Sequence, residues 1–238
     1  MLTKKLTYRL ALILGLFSVI ISITDFSYLE GYFKTFFHAI VLIAYSCFAK
    51  KIKPLFYVFY IGAMAVEFMD SSKTYFFNFF WILLGYTVCF VSGIILLLPL
   101  LKKGKLKLKG INLLIFLVVA TALTYIIFSL YMLFINELSL NSYMFFTITV
   151  LLFTFFIFCC FYITSINNHP KVILLFLTGI GYLLTCTSGL IVYLFQEKNV
   201  VLALTVNFSE SLVQYCFGFF MLNFQTIIDN DDIIELEN

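Results

Sequence analysis

Between Leu113 and Ala120, and again between Ile94 and Leu101, every residue is apolar, so a helix formed there is hydrophobic on all sides. Such a segment has no polar face to turn toward water and must be enclosed completely, by protein or by lipid. The pattern recurs along the chain. Apolar segments run from Leu10 to Thr24, Phe33 to Ala49, Pro54 to Met69, Tyr75 to Leu101, Ile111 to Ile135, Tyr143 to Thr164, Val172 to Phe195 and Val200 to Leu222. They approach the roughly 20 residues that carry a helix across ~30 Å of hydrocarbon at 1.5 Å per residue. Strands of a membrane barrel would instead alternate apolar and polar residues over ~10 positions. The expected fold class is all-α: a polytopic integral membrane protein with eight transmembrane helices in one bundle over residues 1–226. An acidic tail, 227–238, follows it.

Composition agrees with lipid as the solvent. Hydrophobic residues make up 63% of the 238 and charged residues 11%, against about 45–50% and about 25% in soluble domains. Lys4, Lys5 and Arg9 precede the first apolar run as they would in a secretory signal. The residues after it, Thr24, Asp25, Phe26, Ser27 and Tyr28, offer no small-residue cleavage site, which predicts an uncleaved first helix. Pro54 is suited to the first turn of the third helix, where its missing N–H costs nothing. Pro99 and Pro170 mark the end of the fourth and the approach to the seventh.

Basic residues in short loops orient such a bundle. Lys4, Lys5 and Arg9, then Lys50, Lys51 and Lys53, then Lys102, Lys103, Lys105, Lys107 and Lys109, and finally Lys171 all fall on one side if eight helices alternate. The other side receives Lys34, Lys73 and Lys198. Both termini are therefore expected in the cytoplasm, with membrane lipids as partners and the lysine-rich loop against anionic headgroups. The setting expected is a bacterial inner membrane. Asp229, Asp231, Asp232, Glu235 and Glu237 give a tail expected to be solvated and disordered.

Some function classes have no support. A Gly-rich phosphate loop, HExxH and GxSxG are all missing from the sequence, so nothing points to ATP-driven or serine-hydrolase chemistry. The six cysteines, Cys47, Cys89, Cys159, Cys160, Cys186 and Cys216, lie inside apolar runs without zinc or redox spacing and read as packing residues. No cofactor or metal follows from the residues, and nothing suggests nucleic acid.

Polar side chains within the apolar runs are the candidates for function, because a charge at the bilayer centre costs at least ~2.5 kcal/mol and so needs a partner or a purpose. Asn207, Glu210, Ser211, Gln214 and Gly218 share one face of the eighth helix, which is expected to look inward. Glu67 and Asp70 share a face near the end of the third. His38 lies in the second helix and Asn78 near the start of the fourth. Ala11, Gly15, Ser18, Ser22 and Asp25 form a small-residue stripe on the first, and Thr178, Gly181, Thr185, Ser188 and Gly189 another on the seventh. Alternation of the helices puts most of these groups in one half of the bundle.

Three short stretches are similar to those of the YhhN-like, lysoplasmalogenase-type membrane proteins. Lys53-Pro54 opens the third helix, Gly181, Leu184 and Ser188 are spaced like that family's G-x-x-L-F-x-x-S-D segment, and Gln214 resembles its Y-x-x-x-Q ending. The resemblance implies an eight-helix bundle that hydrolyses the vinyl-ether bond of a lysoplasmalogen with intramembrane carboxylates. Where family members have Gly-Asp on the third helix, this chain has Val66-Glu67, and where they have Ser-Asp on the seventh, it has Ser188-Gly189. The candidate catalytic residues are then Glu67, Asp70 and Glu210. His38, Asn78, Ser188, Asn207 and Gln214 are candidate substrate-binding residues. A non-enzymatic binder of lipid or cation, a small transporter, or a family member that has lost catalysis would use the same polar layer.

Overall fold

The computed structural model describes residues 4–24, 29–71, 75–103, 111–136, 138, 140–167, 169–195 and 200–229. Helices follow the apolar segments closely: α1 (Lys4–Ile21), α2 (Glu30–Phe48), α3 (Pro54–Ser71), α4 (Tyr75–Lys103), α5 (Ile111–Ile135), α6 (Leu140–Ile166), α7 (Ile173–Phe195) and α8 (Val200–Leu222). No strand occurs among the described residues. Pro54 begins α3, as expected. Pro99 does not end α4, which runs one turn further to Lys103. α1 begins at Lys4, six residues before its apolar run, because its basic residues extend the helix without needing burial. Pro170 opens a short 3-10 turn that leads into α7, and the ring Nδ1 of His169 accepts from the backbone N–H of Lys171 there.

Five helices are long and apolar enough to cross a membrane: α2, α4, α6, α7 and α8. The described parts of α1, α3 and α5 are apolar but shorter. Large apolar side chains face outward throughout, among them Phe36, Ile61, Val118, Tyr125, Leu151 and Val201. Such a surface, on several helices of spanning length, is consistent with a multi-pass membrane protein.

Seven of the helices close a ring in the order α1, α2, α3, α4, α6, α7, α8, with α8 returning to α1 and also touching α2. α5 lies outside it, against α6 and α7, where Phe134 packs on Phe146 at 5.1 Å. Helices in lipid associate through close packing rather than through hydrophobic gain, so small residues mark the tight crossings. α3 meets α4 at Gly62 and Gly85. A Cβ added to Gly85 would lie 2.4 Å from Val66 Cγ2 and 3.3 Å from the carbonyl oxygen of Gly62, a backbone atom that cannot yield.

The centre of the ring is aromatic. Phe59 and Phe217 meet at 4.5 Å between ring centroids, Phe156 and Phe217 at 5.9 Å, and Phe156 and Tyr182 at 5.6 Å, all buried. Helical structure continues beyond α8 through 224–229, with Phe224 and Ile227 in the core. The packed part of the chain therefore reaches past residue 226, and residues 230–238 lie outside the described ones. All six cysteines are free.

Candidate functional site

Glu30, Lys34 and His38 recur every four residues along α2 and so stand in a line on one face. Facing them are Asn207, Glu210 and Gln214 of α8 and Glu67 of α3. These elements meet where α2 and α8 begin and α3 ends. Lys34 Nζ lies 2.9 Å from Glu30 Oε1, 2.8 Å from Glu210 Oε2 and 2.8 Å from Asn207 Oδ1. An ammonium has three N–H donors, and each has an acceptor here.

A second pair lies deeper. His38 Nε2 is 2.8 Å from Glu67 Oε1, with the imidazole fully buried and the carboxylate nearly so. The remaining polar atoms of this pair, His38 Nδ1 and Glu67 Oε2, are buried without a partner among the described residues. Such atoms are uncommon in folded proteins and lose solvation without return. Gln214 Oε1 is a third, while Gln214 Nε2 donates to Tyr182 Oη at 3.3 Å. Tyr60 lies edge-on to the imidazole, 5.6 Å between centroids, and donates its hydroxyl proton to the backbone carbonyl of Gln214. That hydroxyl reaches the α8 backbone because Gly218, one turn on, has no side chain: a Cβ there would come within 2.6 Å of Tyr60 Oη.

The polar face expected on α8 does look inward, and it brings Asn207, Glu210 and Gln214 together with His38 and Glu67. The α1 stripe packs as expected at Ala11, Gly15 and Ser18, and the Ser18 hydroxyl lies 3.5 Å from that of Ser211. On α7, Thr185 shares a hydrogen bond of 2.8 Å with Ser209. Ser188 is buried one turn beyond but makes no hydrogen bond to either charged pair among the described residues. Open space surrounds Gly189, where a Cβ would touch nothing within 4 Å. Asp70 is in α3 and Asn78 in α4, but their side chains lie outside the described ones, and so does Asp25 as a whole residue.

Two expectations change. Lys34, which the charge count places among the basic residues of the outer side, is a buried residue of α2. Glu210, expected as a second carboxylate available for chemistry, spends an oxygen on Lys34. The signal for Lys34 was present in the sequence as the four-residue spacing of Glu30, Lys34 and His38. Among the described residues no group of His, Cys, Asp and Glu is arranged to hold a metal ion. The chemistry within reach of this arrangement is proton exchange at the His38–Glu67 pair, beside a fixed ammonium. Comparison with protein families, curated proteins and solved structures finds no match to this chain.

Proposed function

We propose that this protein is a membrane-embedded hydrolase of lysoplasmalogen-type lipids, with the His38–Glu67 pair as its acid and base. The observation that carries the reading is that pair: a buried carboxylate is hydrogen-bonded to an imidazole through one oxygen, while its other oxygen has no partner among the described residues. The sequence resemblance to the lysoplasmalogenase-type family supports it, since Glu67 falls on the third helix where that family has an acid. Vinyl-ether hydrolysis needs a proton delivered to the alkene carbon, and then water added to the oxocarbenium ion. The proton held between His38 and Glu67 passes to the alkene carbon, and the pair takes one back from the attacking water. The hemiacetal then breaks into an aldehyde and a glycerol hydroxyl. Lys34, with all three of its donors taken by Glu30, Glu210 and Asn207, ties α2 to α8 beside the pair. Glu210 holds Lys34 in position.

The same reading has all eight helices crossing the membrane with both ends cytoplasmic. It rests on the twelve basic residues at or near helix ends on one side against Lys34, Lys73 and Lys198 on the other.

Purified protein in detergent, given a lysoplasmalogen, should release aldehyde measurable with a coupled alcohol dehydrogenase, and Glu67→Gln should abolish the release. Wild-type protein without turnover, or Glu67→Gln with full turnover, would sink the assignment. A second reading, a non-enzymatic lipid or cation binder or small transporter, is favoured by one feature. Glu30, Lys34 and Glu210 together carry a net negative charge at one end of the bundle. Binding or flux in proteoliposomes without turnover would select it.

A further inference from the structure

At the opposite end of the bundle, where α3 begins, a crevice opens between α3 and α4. Lys51 and Lys53 stand at its head, and its walls are Ile52, Leu55, Ile95 and Leu96. No acid lines it. Among the described residues Lys50 is 4.0 Å from Asp229 and Lys171 donates to Asn223 at 2.6 Å, but no carboxylate pairs with Lys51 or Lys53.

Lys53 is held in place. Its backbone N–H donates to Tyr45 Oη at 2.9 Å, with Tyr45 buried and its ring tilted against Phe56 at 3.9 Å between centroids. Its ammonium lies 3.6 Å from the centroid of the Phe224 ring. Half-burial and the neighbouring charge of Lys51 push it down to about 8, so it gains from an anion brought alongside. A cation fixed at the head of an apolar crevice, open to lipid along Ile52 and Ile95, matches a ligand with an anionic head and a hydrocarbon tail.

We propose that this crevice is a binding site for an anionic phospholipid of the surrounding bilayer, its phosphate between Lys51 and Lys53 and an acyl chain along Ile95. Basic residues at membrane-embedded helix ends recognise acidic headgroups in this way. The site stands apart from the His38–Glu67 pair and does not depend on any activity there.

The test uses the full chain, purified in detergent with equimolar phosphatidylglycerol and phosphatidylcholine, and reads retained lipid by native mass spectrometry. Wild-type protein should retain phosphatidylglycerol in preference, and Lys51→Gln with Lys53→Gln should reduce that preference about thirtyfold, from two lysine contributions. Phe224→Leu, which leaves both charges but releases Lys53 from the ring, should weaken it less. Lys171→Gln should leave it unchanged. Equal retention of the two lipids by the wild type, or undiminished preference in the double variant, would overturn the proposal. So would equal competition by glycerol 3-phosphate, which has the headgroup chemistry but no chain.

Discussion

Lys34 of α2 and Glu210 of α8, 176 residues apart in the chain, meet at 2.8 Å inside the bundle. A buried ion pair is weak evidence for stability, because desolvation of both ions opposes their attraction. Removing one partner is different, since it strands the other. Lys34→Met should therefore cost about 3–5 kcal/mol, seen as a lower thermal midpoint in detergent. Lys34→Met combined with Glu210→Gln should recover part of that loss. Glu30, which also contacts Lys34, limits the recovery.

Glu67 and His38 make the corresponding pair on α3 and α2, with less exposure to the helix end. Glu67→Gln keeps a side chain that can hydrogen-bond the imidazole, so the fold should persist while proton exchange is lost. Glu67→Leu removes the partner of a fully buried ring and should cost about 1–3 kcal/mol more than the Gln variant. Comparing midpoints of the two variants measures the bond apart from any activity.

Gly218 tests the steric side of the site. A methyl group there would lie 2.5 Å from Val41 Cγ1 and 2.6 Å from Tyr60 Oη. Gly218→Ala should destabilise by about 1–3 kcal/mol, as overpacking does. Tyr60→Phe shortens the obstruction, so the double variant should lose less than the two single losses added. Thr185→Val, which removes an interhelical hydrogen bond to Ser209 without a clash, should cost only about 0.6 kcal/mol.

Lys53 gives a prediction in pH. Its ammonium is pushed from the usual lysine range to about 8, first by burial and then by Lys51. Between that value and the ordinary one near 10.5, the unfolded chain binds the proton and the folded chain does not, so stability rises with pH across this window. The penalty is present in full below about 8 and is relieved as the pH climbs toward 10. Thermal midpoints in lipid-free detergent at pH 7 and pH 9.5 should differ more in the wild type than in Lys53→Gln.

What the chain determined by itself is its set of helices and the inward face of those that carry polar or small residues, α8 above all. Those depend on local periodicity and on hydrophobic length: eight apolar runs became eight helices, and the spacing of Asn207, Glu210 and Gln214 already defined one face of α8. Pairing was decided elsewhere. Spacing within α2 aligns Lys34 with His38, but nothing local says that Glu210 takes the first and Glu67 the second, or that Gly218 lets Tyr60 reach the α8 backbone. Those contacts exist because α2 is packed against both α3 and α8 in a closed ring. Only that closure, by burying the cation and removing water from it, turns Lys34 from one more basic residue in the count into the partner that holds Glu210.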